Sequence, residues 1–152
     1  MKPVFTSIAL LICIQLLVCC NKSSEMAGSI DNLNTDSMKL KITIGTTDFI
    51  ATLYNNPTVT AFKTKLPMTI NMSDLNANEK YFDLPANLPA NGSNPRTIQV
   101  GDLMLYGSNT LVLFYKSFST SYNYTRLARI DNPSGLAAAL GSGNITVKFE
   151  TE

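Results

Sequence analysis

The chain has 152 residues, 45% of them apolar, with twelve basic against eleven acidic side chains. It contains no histidine and no tryptophan, and its three cysteines, Cys13, Cys19 and Cys20, all precede Asn21. These facts exclude a Ser/His/Asp or Cys/His catalytic site, and a zinc site built from His and Cys in the body of the chain. The even charge argues against nucleic acid as a partner, because such surfaces show as a basic excess.

Met1 and Lys2 form a short positive start, followed by the apolar run Ile8–Val18, which only Gln15 interrupts. That length suits a signal-peptide core and falls short of the roughly 20 residues a spanning helix needs. Leu17-Val18-Cys19-Cys20, followed by the polar Asn21-Lys22-Ser23-Ser24-Glu25, looks like a bacterial lipobox. Cys20 is the expected lipidation site, because Cys19 is the small residue required before it and Val18 would be bulkier there. A plain secretory signal or an uncleaved amino-terminal anchor are the alternatives. Diacylglyceryl modification with an added N-acyl chain such as palmitate gives stable membrane anchoring, where one acyl chain is marginal. The expected organisation is a signal peptide over 1–19, a lipidated cysteine with a flexible tether over 20–37, and one domain over 38–152. The expected location is the bacterial cell envelope. Loss of Lys2 with the signal leaves eleven basic and eleven acidic side chains. With no cysteine beyond the lipidated one, the exported domain has no disulfide and must stabilise itself by burial.

Asn21–Ser37 has no sustained apolar period and reads as a tether with a span of roughly 20–25 Å. From Met38 the pattern becomes alternation. Leu40, Ile42 and Ile44 form the apolar face of a half-buried strand, Gly45-Thr46-Thr47 turns, and Phe49, Ala51 and Leu53 face inward on the return. Asn56-Pro57 matches an N-cap with proline at the first helical position, predicting a helix over Pro57–Leu66 that buries Val59, Phe62 and Leu66 and ends at Pro67. Met68–Met72 is a strand. The Asn- and Pro-rich stretch Ser73–Pro95 contains one short strand, Tyr81–Leu84.

Ile98–Val100 leads through Gly101-Asp102 into the apolar run Leu103–Tyr106. Gly107-Ser108-Asn109 turns into Thr110–Tyr115, whose continuous apolar character predicts a strand covered on both faces. Tyr124–Ile130 is a strand, Gly135–Leu140 a short helix ended by Gly141-Ser142-Gly143, and Asn144–Glu150 a strand with Ile145, Val147 and Phe149 on one face. The sum is a mainly β domain: a closed or nearly closed barrel of about eight strands with two short helices.

The stretches Ile98–Tyr106 (IQVGDLMLY), Gly107–Tyr115 (GSNTLVLFY) and Thr125–Ile130 (TRLARI) carry a resemblance to the cyclophilin-like barrel. Leu66-Pro67-Met68 and Asn78–Phe82 support it, and the similarity covers Lys39 to Glu150. More narrowly, the chain resembles small bacterial cyclophilin-like proteins. The resemblance implies a groove joining an apolar proline pocket to an arginine near the prolyl amide, and peptidyl-prolyl isomerase chemistry in the parent family. That chemistry lowers a rotation barrier of about 18–20 kcal/mol and needs no nucleophile, metal or cofactor. The hairpin Gly107-Ser108-Asn109-Thr110 resembles the family's Gly-Pro-Asn-Thr turn, and Phe114 matches an aromatic on the following strand. The family's early Phe, Gln and Arg pattern has no clean match, its tryptophan is absent, and Tyr124-Thr125-Arg126 stands where its groove histidine falls. The expectation is therefore a membrane-anchored binding module for a peptide, protein or small ligand, without catalysis. The alternatives are a weak peptidyl-prolyl cis-trans isomerase and an accessory subunit of an envelope partner.

The groove candidates are Arg96 at the end of the long loop, Arg126 on its strand, Tyr106 and Phe114 on central strands, and Tyr81 and Phe82 after the loop. Arg126 and Arg129 have opposite parity, so at most one of them is expected to share a face with the apolar positions. Ser117–Asn123 is either a polar hairpin loop or a source of adaptable hydrogen bonds. Asp102 is expected to fix a turn. Asp74, Glu79 and Asp83 lack a calcium-loop spacing, and no metal site is expected.

Overall fold

Alternation in the sequence becomes a two-sided strand at once. Leu40, Ile42 and Ile44 are buried, and the intervening Lys39, Lys41 and Thr43 lie at the surface. The computed structural model describes residues 39–152, so the expected signal peptide, Cys20 and tether lie outside the described residues. In chain order the elements are β1 Lys39–Ile44, β2 Thr47–Leu53, α1 Pro57–Lys63, β3 Met68–Leu75, β4 Glu79–Asp83 and β5 Thr97–Ile98. They continue with β6 Asp102–Tyr106, β7 Thr110–Phe114, β8 Phe118–Ser119, β9 Tyr124–Ile130, α2 Leu136–Leu140 and β10 Ile145–Thr151.

Eight strands close an antiparallel barrel in the order β1-β10-β3-β4-β7-β6-β9-β2, and β5 and β8 pair as a separate two-stranded sheet. Closure leaves the barrel wall without a free edge. The interior is filled by alternating residues such as Ile42, Phe49, Met72, Leu105, Leu111 and Phe149. β2 and β9 are antiparallel neighbours, so the helices that follow them leave from opposite ends of the barrel. At one end α1 inserts Val59 and Phe62, and Phe62 meets Phe149 edge to face at 6.5 Å. Asn56 caps this helix, its side-chain oxygen accepting the Val59 N–H at 2.9 Å, with Pro57 in the first turn. The helix stops at Lys63, three residues earlier than expected, and a tight turn carries the chain to a partly buried Leu66.

At the other end α2 buries Leu136 and Leu140, and its last turn is tied down by a buried cation. Lys80 is completely buried. Its Nζ donates to Asp74 Oδ1 at 2.6 Å, to the Gly143 carbonyl at 2.6 Å and to the Gly141 carbonyl at 3.0 Å. The Tyr115 hydroxyl donates to the same Asp74 oxygen at 2.6 Å. The ammonium also lies 5.3 Å from the Tyr115 ring centre. The Lys80 and Tyr115 hydrogen bonds hold the Asp74 carboxyl below its usual range. Burial, with Asp74 second, pushes the Tyr115 hydroxyl up to about 12.

β7 is covered on both faces, as its apolar run implies. Leu111 and Leu113 point into the barrel, and Val112 and Phe114 point outward into a second cluster with Ile98, Met104 and Tyr124. That outer cluster lies beneath the β5–β8 sheet, through Ile98 and the partly buried Phe118. β9 departs from simple alternation. A register shift between Leu103 and Met104 pairs Ala128 with Leu103 but Arg126 with Met104. The bulge adds one residue, so Leu127 and Ala128 both face the core and both arginines are left outside it, within the expectation that at most one would share the apolar face. Asp102 does fix its turn, its Oδ2 accepting the Gln99 N–H at 2.9 Å while the Asp102 N–H donates to the Gln99 carbonyl.

Candidate functional site

The outer face of β4 and its neighbours carries a cleft of about 560 Å³. Period-two geometry sets its composition. On β4, Lys80 and Phe82 point inward, and Glu79, Tyr81 and Asp83 point outward into the cleft. β6 and β7 add Tyr106, Thr110 and Val112, and the far wall is the segment from Phe118 to Tyr124. The β3–β4 hairpin closes one end, with Asn76 and Ala77 both at φ of 51° and the Asn78 N–H bonded to the Leu75 carbonyl. Two successive positive φ values are the signature of a type I′ hairpin.

A chain of rings organises the walls. Phe114, fully buried, meets Phe118 at 5.8 Å and Tyr124 at 5.5 Å between centroids. Tyr124 in turn meets Tyr106 at 5.6 Å, and Tyr106 meets Tyr122 edge to face at 5.9 Å. Tyr106 is 46% exposed and Tyr122 60% exposed, so the outer end of this ladder is open to solvent. Phe114 thus supports the floor and does not itself reach the surface.

Charge in this cleft has one sign. Glu79 and Asp83 are its charged residues, and it contains no lysine or arginine. Asp83 accepts the Thr110 hydroxyl at 2.6 Å. Burial pushes the Glu79 carboxyl above its usual range. Burial also raises the Tyr124 hydroxyl, with the Glu79 charge contributing second.

A second cleft, of about 410 Å³, contains the arginine expected of a groove. Arg126 stands over the Tyr54 ring at 5.9 Å and donates to its hydroxyl at 3.4 Å. Pro57, Pro89 and Asn91 complete much of the remaining wall, and Tyr124 lines both clefts. Of the six residues singled out in the sequence, Tyr81 and Tyr106 line the aromatic cleft, and Arg126 lines the second. Phe82 points the other way and packs against the barrel core. Arg96, at φ of 63°, is exposed and lines neither cleft. Its backbone matters instead, because its carbonyl accepts the Thr120 N–H at 2.9 Å and so anchors the far wall.

Glu79, Phe118 and Tyr122 were not among the groove candidates. The signal that could have found them is the pairing of Glu79 with Tyr81 at period two, and the two aromatics inside the polar run Ser117–Asn123. No group of three His, Cys, Asp or Glu side chains placed to hold a metal ion occurs among the described residues.

The comparisons with known proteins agree with this architecture. The model of the cyclophilin-like family matches residues 42–150. No curated protein matches the chain. The solution structure of the hypothetical protein AF2241 from Archaeoglobus fulgidus is similar, with a TM-score of 0.59 at 20% identity, over 76% of this chain and 95% of that one. At that identity the likeness speaks for the fold, which the family match then assigns: the chain belongs to the cyclophilin-like family.

Proposed function

We propose that the chain is a membrane-anchored binding module of the bacterial envelope, holding a peptide or small ligand in the aromatic cleft without catalysing a reaction on it. The observation that carries this reading is the separation of parts. Isomerisation of a prolyl bond by the parent family joins an apolar pocket to an arginine, and here the aromatic cleft has no arginine while Arg126 sits in a different cleft. The aromatic cleft has what recognition needs: rigid ring surfaces, polar groups on the rim, and a floor braced by Phe114. The alternative is weak isomerase activity assisting exported proteins. It is favoured by Tyr124, which touches both clefts and could bring a substrate to Arg126.

A protease-coupled isomerisation assay on the full chain in neutral detergent tests the choice. The expected result is no acceleration above the uncatalysed rate. Acceleration that disappears in Arg126→Ala would overturn the binding reading in favour of the isomerase. Anchoring rests on the lipobox at Cys20 and is tested by metabolic labelling with palmitate. Label is expected in the wild-type chain and not in Cys20→Ala, and equal labelling of both would contradict it.

A further inference from the structure

Negative charge in the aromatic cleft meets no charge of opposite sign. Asp83 is already engaged by Thr110, but the Glu79 carboxylate has no hydrogen-bond or ion-pair partner among the described residues. Lys80, next to it in sequence, projects through the other face of the strand and is held by Asp74 and two carbonyls. One residue earlier, Asn78 also lines the cleft, and its side-chain oxygen is buried without a partner. The Asn78 oxygen is enclosed, so it is the Glu79 carboxylate that presents to the cleft an acceptor to which the described residues supply no donor. A half-buried charge of this kind carries a desolvation cost that an incoming donor offsets. The same cleft is lined by Tyr81, Tyr106, Tyr122 and Tyr124, whose ring faces are electron-rich and attract cations.

We infer that the cleft selects the cationic side chain, lysine or arginine, of an extended peptide, with the ammonium or guanidinium group meeting Glu79 and the alkyl stem lying along the tyrosine rings. This rests on the reading that the cleft binds a ligand, and names its chemistry. Charge complementarity fixes the sign of the ligand, because the lining contains carboxylates and no cation. A carbon stem that ends in a cation fits a surface that is aromatic along its walls and carries in Glu79 a carboxylate not already engaged. An extended main chain is the fitting carrier. β8 pairs only with β5 among the described residues, leaving its other edge without a strand partner, and Phe118, Ser119 and Thr120 all line the cleft. Main-chain hydrogen bonds to such an edge hold a peptide while its side chains enter pockets.

The test uses the full chain in neutral detergent and four capped hexapeptides, identical except for lysine, arginine, norleucine or glutamate at the third position. Binding is read by intrinsic tyrosine fluorescence at low ionic strength, which serves well in a chain with no tryptophan. The lysine and arginine peptides are expected to bind at least tenfold more tightly than the norleucine peptide, which keeps the stem and removes the charge. Glu79→Gln is expected to erase that preference, with the circular dichroism spectrum unchanged. Equal binding of the lysine and norleucine peptides would overturn the cationic selection while leaving ligand binding intact. Absence of binding by all four would overturn both. A preference that survives Glu79→Gln would remove the site from Glu79, and free n-butylammonium binding as tightly as the lysine peptide would overturn the peptide as its carrier.

Discussion

Glu79 and Lys80 are neighbours on one strand and live in opposite worlds. Lys80 enters the barrel, loses all contact with solvent, and recovers three hydrogen bonds and an aromatic neighbour. Glu79 turns outward, is only half-buried, and finds no hydrogen-bond or ion-pair partner among the described residues. A buried charge whose donors are all engaged is a structural fastening, here the one that ties α2 to β3 and β4. A partly dry charge beside aromatic rings, with no partner among the described residues, is the feature on which the proposed ligand site rests.

The largest expected effect comes from the inner face. Lys80→Met leaves two carbonyls without their shared donor and Asp74 with only the Tyr115 hydroxyl, and it is expected to lower stability more than any other change considered below. Urea unfolding of the full chain checks the ranking, and peptide affinity of the folded fraction should stay unchanged. On the outer face, Phe114→Ala should cost about 3 kcal/mol, near the low end for a buried phenylalanine, because Phe118 and Tyr124 can settle into the gap. Unlike Lys80→Met, this change should also weaken peptide binding, because the cleft floor goes with it. Equal effects of the two variants on binding would break the distinction between the faces.

The smallest effects are in the pH dependence, where the two carboxylates have opposite signs. Asp74 titrates below its ordinary value in the folded chain, because Lys80 and then Tyr115 bond to it. Its stabilising contribution is complete above the unfolded value near 3.8 and is lost as pH falls through the lower folded value. Glu79 titrates above its ordinary value of 4.5 because burial disfavours its charged form. Its ionisation therefore costs stability above the raised folded value, and that cost is relieved as pH falls through it. Asp74→Asn should lower the unfolding midpoint at neutral pH, and Glu79→Gln should raise it slightly. A midpoint lowered by Glu79→Gln at neutral pH would mean that the carboxylate has a stabilising partner.

The barrel was legible wherever one face of a strand is wet. Leu40, Ile42 and Ile44 on β1, and Val147 and Phe149 on β10, alternate as written and are buried as expected. Legibility failed where tertiary structure overrode the local pattern. β4 starts two residues before the expected Tyr81, because Glu79-Lys80 reads as loop until Asp74 and the Gly141 and Gly143 carbonyls are there to hold the lysine. β3 continues to Leu75, past the polar Ser73-Asp74, for the same reason. β5 and β8 contain two residues each, too few for any period to show. The bulge opposite Leu103 and Met104 leaves Arg126 and Arg129 both outside the core, which strand parity alone does not show. Of the site, Tyr81 and Tyr106 were readable as strand aromatics. The cleft's second wall was legible only as one of two readings of Ser117–Asn123, because the polar run gives no sign that it folds back over Phe114.

The central claim is that the outer cleft binds a peptide and does not isomerise it. Two-dimensional NMR of the full chain in micelles, titrated with a lysine-containing peptide that also carries one prolyl bond, tests this most directly. The account predicts that signals from Tyr81, Tyr106, Tyr122 and Tyr124 move, while cis–trans exchange in the peptide stays as slow as in free solution. Movement centred on Arg126 and Tyr54, together with accelerated exchange, would contradict it.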